Sequence, residues 1–219
     1  MEKTNFSYLL LALLIFLIGV PLADDLAVLS GPLVRLLLFS CLLIIGVWSL
    51  KGSGRTFSAA ISFVIAGIVF NAFAVKLMSP AYLYGAYVSL LGFLLIAFWC
   101  TLKQVAVGTE ISKNRLVGAV CVYLLLGVIW GIAYTLLDVF APGSFHGISR
   151  LDEPGWDSAW LYFSFVTMTT LGYGDLLPVS ATARALAYMQ AVAGQFYIAI
   201  LVAGLVSAYI SDRQGQSQK

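Results

Sequence analysis

The chain has 219 residues, of which 61% are hydrophobic and 10% charged, and its mean hydropathy is +0.98. So little polar surface cannot coat a soluble globule, and the composition points to an integral membrane protein. A net charge of +2 without a cluster of lysine and arginine gives no basis for a nucleic-acid partner.

The first apolar run extends from about Tyr8 to Leu22, after the polar head Met1-Glu2-Lys3-Thr4-Asn5 and before Asp24-Asp25. Pro21-Leu22-Ala23 is a poor small-x-small cleavage site, so an uncleaved span is expected in preference to a signal peptide. Further spans are expected from Pro32 to Leu50, Phe57 to Leu77, Ala81 to Leu102 and Leu116 to Leu137. Each suits a hydrocarbon core of about 30 Å. The last, from about Thr182 to Ile210, would be about 40 Å long as a helix and should tilt. Cys41, Cys100 and Cys121 lie inside these runs with no metal-ligand spacing, as buried free thiols would.

Charge sets direction. Lys3, Lys51, Arg55, Lys103, Lys113, Arg115, Arg213 and Lys219 fall at the termini and at alternate connections, which makes those ends cytoplasmic. Asp24, Asp25, Asp138, Asp152, Glu153, Asp157 and Asp175 fall on the opposite side. A polar stretch between Lys103 and Arg115 marks a boundary, giving a four-helix module over residues 1–110 and a second module over residues 111–219. About nine residues follow Ile210, so no fused soluble gating domain is expected.

A moving voltage sensor needs charges inside the membrane, each worth about 2.3 kcal/mol per 100 mV. The fourth span carries no arginine or lysine before Lys103, so a conventional sensor is not expected. Arg35 and Lys76 lie toward the outer side, where snorkelling to the headgroups explains them and a residual sensor or ligand contact is the alternative. Asn71 reads as an interhelical hydrogen bond. Those first four spans offer no paired acids, no histidine and no serine-base constellation, which argues against an enzyme.

Between the last two spans lies Thr167-Met168-Thr169-Thr170-Leu171-Gly172-Tyr173-Gly174-Asp175. Two glycines one residue apart let the backbone enter conformations that a Cβ disfavours, so that successive carbonyls can face one side and replace water around a cation. Upstream, a helix from Asp157 to Met168 would be about 18 Å long, enough to reach the middle of the membrane and too short to cross it.

With Leu161 to Val166 before it and Leu177-Pro178-Val179, Arg184 and Gly194 after it, this run resembles the pore module of tetrameric potassium channels, of the bacterial two-span-pore kind, from about Asn114 to Ile210. The resemblance implies an all-α transmembrane fold of six spans, with a re-entrant pore helix and filter between the fifth and sixth. It implies a homotetramer, embedded in lipid of the plasma membrane with both termini cytoplasmic. Carbonyls of Thr170, Leu171, Gly172 and Tyr173, with the Thr170 hydroxyl, would hold potassium, and Gly174 would complete the filter. Asp175 would form an acidic ring at the outer mouth, with Asp152, Glu153 and Asp157 nearby in sequence. No cofactor beyond the permeant ion is implied.

On the inner helix, Gly194 matches the family's hinge position, Gln195 is an odd polar residue below Thr170, and Val202, Val206 and Ile210 recur at helical spacing as a gate or as packing. Leu171 replaces the usual valine, and its side chain is expected to turn into the pore-helix packing. Tyr162 and Phe163 stand where many members carry tryptophans, which removes an indole donor, and Val166 leaves Asp175 without an acidic partner. His146, the sole histidine, reads as an ordinary exposed side chain or an external pH sensor. A potassium-selective channel is the expected function. A weakly selective monovalent cation channel, or a membrane sensor with a degenerate pore module, is the alternative.

Overall fold

The computed structural model describes residues 6–25, 54–77, 79–107, 113–147 and 158–217. Within them lie α1 (Phe6–Asp25), α2 (Gly54–Leu77), α3 (Pro80–Val107), α4 (Lys113–Phe140), α5 (Ser158–Met168) and α6 (Ala181–Ser217). Two short strands, β1 (Phe145–His146) and β2 (Leu177–Pro178), pair antiparallel. The described residues are thus all-helical apart from one minimal ribbon. The expected second span, with Arg35, lies outside the described residues, as do Cys41, Asp152, Glu153 and Asp157.

Among the described residues, three helical stretches are long and apolar enough to cross a membrane: Thr56–Ala74, Ala81–Ala106 and Asn114–Phe140. Phe6–Leu22 is a shorter apolar helix. By this measure the described residues give fewer spans than the six expected. Between Ala181 and Gln195, α6 carries Thr182, Arg184, Gln190 and Gln195, which dilute its apolar character.

Packing runs from α2 to α3 and from α3 to α4, and α4 in turn carries α1, α5 and α6. Glycines set the close approaches. A Cβ at Gly92 would strike the Phe63 ring at 2.5 Å, and one at Gly85 would meet the Phe70 ring at 3.0 Å, so α2 seats its aromatics on α3. Leu13, Leu90, Leu94, Leu125 and Val128 form the centre of a core shared by α1, α3 and α4. Because α1 packs on α4 and α5, it is joined to the half of the chain that begins at residue 111.

Polar contacts fix the levels of the helices. Phe6 N donates to Asn114 Oδ1 at 2.9 Å, and Arg115 Nε donates to the Val105 carbonyl at 2.6 Å, which puts the starts of α1 and α4 beside the end of α3. At the opposite end, Phe73 meets Tyr82 and Tyr84 meets Phe140, with ring centroids 5.7 and 6.3 Å apart. So α1, α2 and α4 run one way and α3 the other. Lys76 is exposed at the end of α2, and Cys100 and Cys121 are free thiols, half-buried and buried respectively.

Candidate functional site: a left-handed strand at the end of a half-depth helix

The 11 residues of α5 make a helix about 16 Å long, half the thickness of a hydrocarbon core. Its start lies against Gly131, whose absent Cβ would be 3.5 Å from the Leu161 Cα and the Trp160 carbonyl. Its end is level with Gly127, midway along α4, where an added Cβ would meet the Phe165 ring at 2.5 Å and Met168 at 3.0 Å. Around its first half, Trp160 and Phe163 are buried with Tyr134, and half-buried Phe145 packs against them. Phe145 stands edge-on to Trp160 at 4.6 Å, and Tyr134 edge-on to Phe163 at 4.9 Å. Such pairs supply stiff apolar packing without a tryptophan at position 163.

The exit from α5 builds the site. Thr170 N donates to the Thr167 carbonyl at 3.1 Å and Leu171 N to the Val166 carbonyl at 2.9 Å, while Thr170 sits at φ 60°. That pair of bonds around one left-handed residue is the Schellman ending of a helix, with Thr170 where glycine is usual. Gly172 N reaches the same Val166 carbonyl at 3.3 Å. The strand is therefore hung on the last turn of α5.

Left-handed backbone then recurs at Gly172, φ 55°, and Gly174, φ 81°, but not at Leu171 or Tyr173. Alternating handedness lines peptide groups up along one edge of a strand, which is what coordination by successive carbonyls requires. Thr170 is the one non-glycine residue with positive φ among the described residues. Backbone strain of this kind, about 1–3 kcal/mol, concentrates at functional sites.

Beyond the strand, Asp175 is held twice. Its Oδ2 accepts from the Tyr162 hydroxyl at 2.6 Å and its Oδ1 from Leu176 N at 3.0 Å. The Tyr162 hydrogen bond is the main reason that the Asp175 carboxyl lies below its ordinary value. That same bond, above all, pushes the Tyr162 phenol up to about 12. The Tyr162 and Tyr173 rings lie nearly parallel, 6° apart in plane and 6.3 Å between centroids. Sequence reasoning missed this contact, because replacing an indole by a phenol was read as the loss of a donor. The phenol is itself the donor, and it supplies the partner that Val166 cannot.

The turn after the strand is tied down as well. Phe145 pairs with Pro178 and His146 with Leu177, and Val179 N donates to the Ser144 carbonyl at 2.9 Å. A Cβ at Gly147, φ 97°, would overlap the Asp175 carbonyl, so only glycine allows the loop after α4 to lie so close. Exposed His146 thus sits on the ribbon that follows Asp175. Ser180 Oγ accepts from Ala183 N at 3.1 Å and caps α6.

The remaining expected site residues lie on α6. Gly194 is helical and buried, and a Cβ there would stand 2.6 Å from Met168 Cγ and 2.8 Å from its carbonyl oxygen. Close approach to the end of α5 is sufficient reason for a glycine at that position. Gln195 is exposed on the chain's surface, away from Gly194's contact. Val202, Val206 and Ile210 fall within α6, but their side chains lie outside the described residues. Leu171, expected to turn into the pore-helix packing, is 55% exposed within the single chain. The inward edge of the strand at that point is occupied by the backbone bonds to Val166.

Residues 118–211 match the family model described as ion channel. That match covers less than half of the chain, and together with the long apolar helices it indicates a membrane protein. Among curated relatives it is 36% identical over 109 residues to two-pore potassium channel 3 of Arabidopsis thaliana, covering 48% of this chain and 22% of that one. It is 36% identical over 101 residues to two pore potassium channel a of Oryza sativa subsp. japonica, covering 46% and 26%. It is 33% identical over 98 residues to potassium voltage-gated channel subfamily A member 5 of Rattus norvegicus, covering 45% and 15%. The matches thus span about a quarter or less of these relatives' length. No solved structure matches.

Proposed function

We propose that four copies of this chain form a potassium-selective channel in a plasma membrane, with passive conduction through the Thr170–Gly174 strand. The observation that carries this reading is the alternation of φ along that strand at the end of a half-depth helix. One strand cannot surround an ion, and alone it would leave polar backbone in lipid, which is not tolerated. Four strands around an axis remove both difficulties. Thr169 to Gly174 are exposed within the chain, as are Tyr188, Met189, Val192, Phe196 and Ile200 on α6, and neighbouring copies would cover such surfaces. The relatives' potassium-channel names point the same way.

On this reading α5 is a re-entrant pore helix and six spans cross the bilayer, with both termini in the cytoplasm of a bacterial cell. Carbonyls of Thr170, Leu171, Gly172 and Tyr173 replace the potassium hydration shell, and the Thr170 hydroxyl closes the innermost site. Asp175 forms an outer ring that concentrates cations. Gln195 faces the cavity, Gly194 permits bending of α6, and Val202, Val206 and Ile210 make an apolar constriction. The chain's partners are lipid and further copies of itself. Weaker selectivity among monovalent cations is the second reading, favoured by Leu171 at a position where the resembled family usually has valine. Reversal potentials in reconstituted bilayers under opposed potassium and sodium gradients decide between them. A reversal potential that follows potassium supports the first reading, and one near zero supports the second.

A further inference from the structure

Three buried polar side chains stand behind the strand and belong to three different helices: Tyr134 on α4, Ser164 on α5 and Gln190 on α6, each fully enclosed. The Tyr134 hydroxyl donates to Gln190 Oε1 at 2.5 Å. Gln190 Nε2 donates to Ser164 Oγ at 2.7 Å and to the Ser164 carbonyl at 3.0 Å. Ser164 Oγ donates in turn to the Gly127 carbonyl on α4 at 2.6 Å, closing the circuit. Donors and acceptors match at every step, so the network costs little as it stands and much if it is partly broken. An apolar contact can slide by an ångström with little loss, whereas these bonds fix rotation and level together.

Position gives the circuit its meaning. Ser164 lies two residues before Val166, whose carbonyl holds Leu171 and Gly172. One turn along α6 from Gln190, Gly194 touches the Met168 side chain and carbonyl. The inner helix is therefore bonded and packed to α5 at two successive turns. A third α6 contact, Tyr197 Oη to the Ala119 carbonyl at 2.6 Å, reaches α4 without touching α5.

We infer that Gln190 is a positioning residue for the filter: clasped between Tyr134 and Ser164, it locks the inner helix to the pore helix, so that rotation of α6 is transmitted to the Thr170–Gly174 strand. This rests on the channel reading, and the two fail separately. If the wild-type protein in bilayers passes no cation current, the channel reading fails. The inference is tested only on variants of a conducting wild type.

Gln190→Leu keeps most of the side-chain volume and removes all three of its hydrogen bonds. Tyr134→Phe removes one and leaves the shape, so it serves if the first variant does not assemble. Each should lower the potassium-to-sodium permeability ratio or the mean open time by about threefold or more, and the double variant should be no worse than the more affected single one, as expected of residues in one network. Tyr197→Phe removes an α6–α4 bond alone, and should lower thermal stability while leaving ratio and open time unchanged. Assembled Gln190→Leu or Tyr134→Phe channels with wild-type ratio and open time would overturn the inference. So would equal effects of Tyr197→Phe on the filter, since Gln190 would then be no more than interhelical packing.

Discussion

The Tyr162 hydroxyl stands 2.6 Å from Asp175 Oδ2, joining the first half of α5 to the residue that follows the Thr170–Gly174 strand. The strand is thus anchored at both ends to one helix, by Val166 at the inner end and Tyr162 at the outer. Tyr162→Phe should leave assembly intact and speed the decay of potassium current, because the outer anchor is lost. The pH dependence has a definite sign. A carboxyl held below its ordinary value keeps its contact throughout the range above that value and loses it as pH falls through the lowered one. Wild-type current should therefore be steady from neutrality down to about pH 4, the ordinary carboxylate range. In Tyr162→Phe the acid midpoint should move upward. Equal midpoints for the two proteins would show that the bond does not govern the mouth.

Thr170 occupies a position where glycine would be easier. Thr170→Gly should relieve about 1 kcal/mol of left-handed strain, partly offset by the extra freedom that glycine gives the unfolded chain. Thermal stability should hold or rise slightly. If the Thr170 hydroxyl closes the innermost ion site as proposed, potassium conductance should fall. Thermal melts and single-channel conductance on one preparation check both halves, and unchanged conductance would remove Thr170 from the ion path.

At Gly172 an added methyl meets nothing within 4 Å of its own chain, so the cost of Gly172→Ala there is backbone alone, about 1 kcal/mol or more per chain. Insertion and assembly should survive. Flux, or discrimination against sodium, should not. A Gly172→Ala tetramer with wild-type conductance and permeability ratio would mean that ions pass elsewhere.

For Gly194, space decides. In Gly194→Ala the new Cβ meets the Met168 carbonyl as well as its side chain, and a backbone atom cannot turn aside. Overpacking of this kind costs about 1–3 kcal/mol, and the variant should melt earlier. Were Gly194 only a hinge, alanine would slow opening and leave the melting temperature unchanged.

Voltage should matter little to opening. From Pro80 to Leu102, α3 carries no charged side chain, and Lys103 lies near its end. Current–voltage curves at symmetrical potassium should show at most mild rectification. Steep activation carrying several charges per channel would contradict the absence of a moving cation in this helix.

Composition and hydropathy were enough to establish a membrane protein, and expected helices such as Phe57 to Leu77 and Leu116 to Leu137 lie within α2 and α4. The run from Thr170 to Gly174 stood out by its resemblance to a known family, and that resemblance could be seen because its marks are local: glycine spacing, a preceding half-length helix and a following acid lie within a few residues of one another. Other features had no local signature. Spans that are apolar on every face do not disclose which side meets a neighbour, so the seat of α1 on α4 and α5 could not be read from periodicity. Gln195 was the polar residue singled out in this apolar run and Gln190 was passed over, yet Gln190 is buried among three helices and Gln195 is exposed. What separates them is the rotation of α6 and the level at which it meets Tyr134 and Ser164. Likewise, the partnership of Tyr162 with Asp175 depended on how far the strand climbs back along α5. Such distances are set by the whole packing, because each bond needs two side chains, far apart in sequence, brought to within 3 Å at the right angle.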